Sequence, residues 1–293
     1  MPARKWTRLI MIIVFVWSVP ALIRNCHAQD EIEFTEITYP QYENTLNMDF
    51  GKALVADTRY VVTAPFHFGK KEWKTAATVA GITTVLLIFD EDIQEWSQRN
   101  KIDKWATEYQ EDYSDKIADW VKPLGDYDKM FIPLSAFYLY GYATENDRAR
   151  HTVLVSAEAL IISNLIGQTM KELINRERPS GLGIHHDWGP DSRSSPDKSM
   201  PSGHAMNAFA LATVFAHQYE HRRWVPPVAY GLAVLTAASR VHENRHWTSD
   251  VFVGSCIGYF TAKAVLGRQG SDKWTITPVT DGSSVFLNVR YKF

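Results

Sequence analysis

Apolar residues cluster in long blocks between positions 75 and 267, and charged residues fall mainly between those blocks. Four blocks hold no charged residue and are 15 or 16 residues long, while two longer ones are interrupted once, by Glu158 or by Lys263. Blocks of this length exceed most strands and predict helices. The uncharged blocks are 75–89, 130–144, 205–219 and 224–239, and the interrupted ones are 152–170 and 251–267. We therefore expect an all-α helical bundle of five to six core helices.

The lengths of these blocks bear on membrane insertion. At 1.5 Å per residue an uncharged block spans about 22 to 24 Å, short of the roughly 30 Å hydrocarbon core of a bilayer. This favours a bundle without full membrane spans. The alternative is a membrane-embedded bundle, because Ala and Gly recur in the blocks and Lys74, Lys129 and Trp224 lie at their edges, where such side chains anchor at membrane interfaces.

The N-terminus has the features of an export signal. Three basic residues among the first eight precede an apolar stretch over 9–23, and Cys26-His27-Ala28 supplies a small-x-small cleavage site. Residues 1–28 therefore predict a signal peptide and export to a bacterial periplasm, with an uncleaved anchor as the alternative. Residues 29–70 predict an N-terminal extension with one amphipathic helix from Met48 to Ala64.

Apolar and polar residues alternate at the C-terminus. Apolar side chains recur at every second position from Val285 to Phe293, shortly after Asp281-Gly282. This pattern predicts a small β-hairpin in the tail 268–293, packed on the helical body. A terminal aromatic residue also resembles the last strand of an outer-membrane barrel, but one hairpin cannot close a barrel.

Three separated segments carry the charges of a phosphate site. They are KELINRERP from Lys171 to Pro179, PSGH from Pro201 to His204, and SRVHENRHWTSD from Ser239 to Asp250. A phosphoryl group in transfer spreads negative charge over its oxygens, so an enzyme without a metal needs cations and hydrogen-bond donors in a fixed cage. Lys171, Arg178 and Arg240 are suitable cations. Two histidines, His204 and His246, suit a proton donor and a nucleophile.

The spacing within each segment refines this expectation. Lys171 and Arg178 are seven residues apart, which on one helix places both cations on the same face. His246 and Asp250 are four apart, so on a helix the carboxylate accepts the Nδ1 proton and leaves Nε2 free to attack. Ser202 and Gly203 precede His204 in an expected tight turn, where a hydroxyl and an unhindered amide face a phosphate oxygen.

The three segments together resemble the signature of the type 2 phosphatidic acid phosphatase and vanadium haloperoxidase superfamily. That resemblance implies that His246 is the nucleophile, that His204 is the general acid and that Asp250 supports His246. It also implies that phosphate is bound by five residues, namely Lys171, Arg178, Ser202, Gly203 and Arg240. Residues 71–267 would then form the phosphatase helical domain.

The expected activity is metal-independent hydrolysis of phosphomonoesters or pyrophosphates through a phosphohistidine. The expected substrate is a phosphorylated lipid, favoured by the apolar bundle, or a small phosphoester. The alternatives are a vanadium-dependent haloperoxidase, with vanadate as its cofactor, and a catalytically silent membrane-surface binding protein. A formal net charge of −2 argues against nucleic acid as a partner.

No metal and no other cofactor is expected. His242 and His246 have the spacing of a helical metal pair, but a third ligand is lacking nearby and Arg240 and Arg245 would repel a cation. The polar segment 180–200 is expected to be a loop beside the site, either a substrate gate or a plain connector.

Overall fold

The computed structural model describes residues 46–99, 113–179 and 198–269 together with two strands, 274–280 and 285–291. The predicted signal peptide, the first part of the extension and most of the predicted loop at 180–200 lie outside these residues. The boundaries predicted for the four segments of the chain therefore stay predictions.

The described residues form a helical bundle, and the expected all-α class is confirmed. Two short 3-10 turns, Ala64–His67 and Lys122–Leu124, lie between helices. The helices are α1 (Met48–Thr63), α2 (Lys70–Arg99), α3 (Tyr113–Val121), α4 (Tyr127–Ala143), α5 (Asp147–Ile174), α6 (Gly203–Gln218), α7 (Val225–His242) and α8 (Thr248–Gln269).

Helix α1 forms where the amphipathic pattern predicts it. Its N-cap is Asn47, whose side-chain oxygen accepts hydrogen bonds from the backbone N–H groups of Asp49 and Phe50 at 3.0 and 3.1 Å. An Asn at this position satisfies amides that have no acceptor within the helix.

Helix α2 is longer than the apolar block that predicts it. The uncharged pattern ends at residue 89, but the helix continues to Arg99. Its last part carries Asp90 and Gln94, both buried. The Gln94 side-chain amide donates to the backbone oxygen of Val241 at 3.1 Å and to Asn244 Oδ1 at 2.6 Å. A polar segment can extend a buried helix when its polar groups meet partners in this way.

The core lies among α5, α6 and α8. It contains Val155, Ile162, Ala210, Val214 and Val265, all fully buried. Small residues on these helices allow their backbones to approach closely, which places the loops at their ends side by side.

Two glycines of α8 mark the closest approach to α6. A Cβ atom at Gly258 would lie 2.0 Å from the backbone oxygen of Met206, and one at Gly254 would lie 2.4 Å from that of Ser202. Such contacts are far inside van der Waals distance, so only glycine fits at these positions.

The C-terminal hairpin consists of β1 (Trp274–Thr280) and β2 (Val285–Tyr291), paired antiparallel with Ile276 opposite Val289. Its expected packing on the helical body stays a prediction.

Among the described residues, one helix meets the length and composition needed to cross a membrane. This helix is α5, and 56% of its apolar window is buried within the bundle.

The close contact of α6 and α8 leads to a stability prediction. Gly258→Ala forces the two backbones apart and should lower the free energy of unfolding by about 1 to 3 kcal/mol. Gly267→Ala is the matched control on the same helix, since a Cβ atom there meets nothing within 4 Å. Because Ala favours a helix over Gly by about 1 kcal/mol, the control should be neutral or stabilising. Thermal unfolding of the three proteins checks this, and equal midpoints for both variants would contradict the packing.

Candidate active site

The three charged segments meet at one end of the bundle. Lys171 lies in the last turn of α5, His204 in the first turn of α6 and Asp250 in the first turn of α8. Arg240 lies in the last turn of α7, and His246 precedes α8. The positive charges of Arg178 and Lys171 act on His246, and those of Arg240 and Lys171 act on His204. Segments far apart in sequence are therefore close in space.

The first segment differs from the expected single helix. Helix α5 ends at Ile174 because Asn175 adopts the left-handed conformation, with φ 47° and ψ 53°, and its N–H bonds to the oxygen of Lys171 at 3.0 Å. Asn is one of the few residues that tolerate this conformation at a helix end. The expectation that Lys171 and Arg178 share one helical face is therefore wrong. Arg178 lies in the nonhelical segment that follows the helix.

The pair His246 and Asp250 also differs from the expected helical arrangement. Since α8 begins at Thr248, His246 lies outside the helix. Asp250 Oδ2 accepts the backbone N–H of Trp247 at 2.9 Å, as an acidic residue in a capping box does. His246 Nδ1 is 3.9 Å from Asp250 Oδ2, which is too long for a direct hydrogen bond.

Ser199 lies between these two side chains. Its hydroxyl donates to Asp250 Oδ2 at 2.5 Å and is 3.5 Å from His246 Nδ1. Both Ser199 and Asp250 are fully buried. The carboxylate is therefore linked to the imidazole indirectly, through the Ser199 hydroxyl.

The turn before α6 has a polar atom available for a ligand. Ser202 is the N-cap residue, and within the described part of the chain its buried Oγ has no hydrogen-bond partner. Its backbone N–H, in contrast, donates to the backbone oxygen of Asp250 at 3.0 Å. A Cβ atom at Gly203 would face open space. Ser202 Oγ and the first amides of α6 therefore lie at a helix N-terminus, where anions bind well.

His204 is held by a tight contact with the turn before α4. A Cβ atom at Gly125 would lie 2.7 Å from the Cβ atom of His204, so this turn packs directly on the imidazole-bearing residue. His204 Nε2 is buried and lacks a hydrogen-bond partner among the residues that the structure describes. This nitrogen is free to serve a bound phosphate.

Arg240 is buried and held in place by its neighbours. Its guanidinium donates to Ser239 Oγ at 3.1 Å and to Glu243 Oε1 at 2.6 Å. Glu243 in turn lies 3.9 Å from Lys122 Nζ. The cation is thus fixed before any ligand arrives, which reduces the entropy that binding would cost.

The electrostatics of the pocket favour neutral histidines. Burial lowers the pKa of His204 to about 4, helped by the positive charge of Arg240 and opposed by Asp126. Burial, followed by Arg178 and Lys171, lowers the pKa of His246 well below its ordinary value. Burial raises the pKa of Asp250 to about 6, although Arg176 and the Ser199 hydroxyl counteract this rise. The empty site is therefore short of negative charge.

Four buried polar residues that we did not predict complete the site. Ser199 is described above, and Asp90, Arg176 and Ser249 form a hydrogen-bonded cluster behind Asp250. One signal for Asp90 was its place directly after an uncharged helical block. Nothing in the sequence marked Arg176 as a buried site residue, because the motif selects Arg178, which directly precedes Pro179.

Clusters of potential metal ligands can be assessed in the described residues. Within 46–99, 113–179 and 198–269, no group of three or more His, Cys, Asp or Glu side chains has the geometry to hold a metal ion.

A large apolar groove adjoins the site. It has a volume of about 780 Å³ and lies between α4, α6 and α7. Its α6 wall includes Ala208, Leu211 and Phe215, which follow His204 by four, seven and eleven residues and so lie on its face of the helix. Its α7 wall includes Ala233, two helical turns before Arg240. The groove therefore runs along the same faces that carry the polar pocket.

Comparison with known proteins identifies the family. A family model for the PAP2 superfamily matches residues 152–272. Putative undecaprenyl-diphosphatase YbjG of Escherichia coli K12 is 31% identical over 144 residues, which cover 47% of this chain and 68% of that protein. The chain therefore belongs to the PAP2 superfamily, and the resemblance seen in its three motifs is confirmed.

Other relatives match over shorter segments. Lipid A 1-phosphatase of Porphyromonas gingivalis is 43% identical over 84 residues, 28% of this chain and only 18% of that protein. Phosphatidylglycerophosphatase B of Bacillus subtilis is 31% identical over 111 residues, 35% of this chain and 51% of that protein.

Two solved structures match part of this chain. A transmembrane PAP2-type phosphatidylglycerolphosphate phosphatase from Bacillus subtilis has a TM-score of 0.49 at 19% identity, covering 66% of this chain and 94% of that one. LpxE of Aquifex aeolicus has a TM-score of 0.45 at 20% identity, covering 60% and 93%.

The low pKa of His204 predicts that anion binding takes up a proton. At about pH 6 the imidazole is neutral in the empty site, since its pKa is about 4, and a bound oxyanion raises that pKa and favours protonation. Calorimetric titration with vanadate in buffers of different ionisation enthalpy measures the proton uptake. His204→Gln should remove most of it, and the exposed His67 supplies the control variant His67→Gln. Equal uptake by wild type and His204→Gln would show that another group titrates.

Proposed function

We propose that this protein is a metal-independent phosphatase that hydrolyses phosphomonoesters or pyrophosphates, with phosphorylated lipids as its substrates. The observation that carries this proposal is the proximity of Lys171, Arg178 and Arg240 to His204 and His246, at the end of the bundle where Ser202 Oγ has no hydrogen-bond partner among the described residues. Three cations at one site can neutralise a phosphate without a metal ion.

In the proposed first step, His246 Nε2 attacks phosphorus in line. A bond from nitrogen to phosphorus forms as the bond from phosphorus to the leaving oxygen breaks, and His204 gives that oxygen a proton. Burial and the nearby cations keep His246 neutral before attack, which a nucleophile requires. The charge on Asp250 then stabilises the imidazole as it becomes positive.

In the second step, His204 removes a proton from water, which attacks the phosphohistidine. The nitrogen–phosphorus bond breaks, inorganic phosphate leaves and both histidines return to their starting states. His204 must be protonated to begin the cycle although its pKa in the empty site is about 4. The negative charge of the bound substrate stabilises the protonated imidazole, so His204 becomes a general acid only when substrate is bound.

A lipid substrate is supported by the groove and by the relatives. The groove offers an apolar surface beside the proposed phosphate cage, and hydrocarbon buried there contributes roughly 0.8 kcal/mol per methylene. The relatives are named as phosphatases or diphosphatases of lipid A, undecaprenyl and phosphatidylglycerol compounds.

Association with a membrane follows from the same proposal. Ile88, Ile132 and Leu173 are each at least 70% exposed, and many further large apolar side chains lie on the bundle surface. Surfaces of this kind mark membrane or protein interaction sites. We place the protein at the periplasmic side of a bacterial inner membrane, and carbonate extraction of membranes tests this location.

Hydrolysis of p-nitrophenyl phosphate with and without chelator tests the activity. His246→Ala should reduce turnover to background because no other side chain replaces the nucleophile. Asp250→Asn should slow it by about two orders of magnitude or more while leaving the protein folded. A ³²P label on the wild-type protein that is labile in acid and stable in alkali would identify the phosphohistidine.

The alternatives give different results in the same assay. Loss of activity in chelator, restored by a divalent ion, would overturn the metal-free mechanism. Halide oxidation that depends on added vanadate and peroxide would indicate a haloperoxidase. A folded wild-type protein that binds vanadate but turns over nothing would indicate a silent binding protein.

The groove predicts a variant that separates lipid from soluble substrates. Ala229→Trp places a large ring in the groove and should reduce kcat/KM for a long-chain lipid phosphate by about tenfold, the effect of roughly two lost methylene contacts. Turnover of p-nitrophenyl phosphate should not change. Val234→Trp is the control, since Val234 lies on α7 but does not line the groove. A parallel loss for both substrates in Ala229→Trp would exclude the groove as the hydrocarbon site.

A further inference from the structure

Asp250 belongs to a buried charge cluster whose other charged members, Asp90 and Arg176, were not predicted as site residues. Arg176 Nη1 donates to Asp250 Oδ1 at 2.7 Å, and its Nη2 donates to Asp90 Oδ2 at 2.9 Å. The three side chains are at most 2% exposed. One guanidinium therefore bridges two carboxylates, one from α2 and one from α8.

The orientation of Arg176 distinguishes it from the phosphate-binding cations. Its guanidinium also donates to Ser249 Oγ at 2.7 Å and lies 5.2 Å from the ring centroid of Trp247. Both terminal nitrogens thus bond to buried side chains of the cluster. Although Arg176 and Arg178 are two residues apart, only Arg178 faces His246.

Asp90 is held as firmly as Arg176. Its Oδ1 accepts the backbone N–H of Ser249 at 2.9 Å, and its Oδ2 accepts the Ser249 hydroxyl. Asp90 thereby ties α2 to the first turn of α8, the turn that carries Asp250. Two carboxylates and one guanidinium leave the cluster with one net negative charge, which faces His246 through Asp250.

We propose that Asp90 and Arg176 are positioning residues: Arg176 keeps Asp250 ionised, and Asp90, by holding Arg176 and the first turn of α8, keeps Asp250 Oδ2 directed to Ser199 and His246. This proposal rests on the phosphatase function proposed above. Neither residue touches the substrate. The positive charge of Arg176 offsets the cost of burying the Asp250 carboxylate. Asp90 balances part of that positive charge, so the cluster keeps a net negative charge opposite the imidazole cation.

The opposite charges of Asp90 and Arg176 give a distinctive test. Three groups face Asp250: Arg176 from the segment after α5, Asp90 from α2 and His246 from the loop before α8. His246 in turn faces Lys171, Arg178 and His204. Removing the positive Arg176 raises the pKa of Asp250 above its value of about 6, whereas removing the negative Asp90 lowers it. A loss of packing alone would not shift the pKa in opposite directions.

The pH dependence of kcat should therefore move in two directions. In Arg176→Gln the acid limb, which reports the coupled His246 and Asp250 pair, should shift up by about one pH unit, with kcat reduced by about tenfold or more. In Asp90→Asn the acid limb should shift down. Arg176→Lys keeps the charge but cannot bridge both carboxylates, so its acid limb should match wild type while its kcat falls.

Controls separate this proposal from the function itself. Arg99→Gln removes an exposed arginine from the same helix as Asp90 and should behave as wild type. KM and vanadate inhibition should stay within about threefold in every variant, because the phosphate cage is untouched. Should Arg176→Gln fail to fold, Asp90→Asn decides, since Asn keeps the shape of the side chain.

An infrared titration measures the carboxyl group without catalysis. The band of protonated Asp250, assigned by its loss in Asp250→Asn, should titrate near pH 6 in wild type, higher in Arg176→Gln and lower in Asp90→Asn. Unshifted bands and an unshifted acid limb in folded variants would overturn the positioning role. Shifted bands in a protein without phosphatase activity would support it and would overturn the proposed function alone.

Discussion

The site depends on keeping a carboxylate charged where water does not reach it. Asp250 is fully buried, and burial raises its pKa, which is about 6 even with the opposing effect of its hydrogen-bond and charge partners. A lone ion in such a position would take up a proton. Arg176, the Ser199 hydroxyl and the Trp247 amide counteract this, each from a different segment of the chain. The helices must therefore pack closely enough to bring these three donors to one carboxyl group.

The packing of α8 against α6 meets this requirement. Gly254 and Gly258 bring the two backbones together, and the Ser202 N–H bonds directly to the Asp250 carbonyl oxygen at 3.0 Å. The second and third motif segments are thus joined by backbone contacts, so small changes in helix packing will move the two histidines relative to each other. Stability and catalysis are coupled through the same interface.

The fold and the residue types of the site were predictable because they depend on local patterns. Uncharged blocks of 15 or 16 residues predict helices at 130–144 and 205–219, and the structure has α4 and α6 there. Motif spacing similarly selected Lys171, Arg178, His204 and His246 as site residues, and their charges do act on one another. The catalytic roles of these residues stay predictions.

The details that failed depend on helix ends and on distant partners. Lys171 and Arg178 do not share a helix, because a left-handed Asn175 ends α5 between them. His246 and Asp250 do not share one either, because the capping interaction of Asp250 begins α8 after His246. A prediction from residue spacing assumes that the helix is continuous across the motif. Where a cap residue inside the motif starts or ends the helix, that prediction fails.

Asp90 could not be found from the motifs, since its partners are 86 and 159 residues away in sequence. Its position after an uncharged block favoured a helix end with a solvated charge, which is the ordinary position for an aspartate. Asp90 is instead buried, and this is possible because Arg176 and Ser249 donate hydrogen bonds to its carboxylate. A charged residue at the edge of an apolar helix therefore has two interpretations, and its partner across the bundle decides between them.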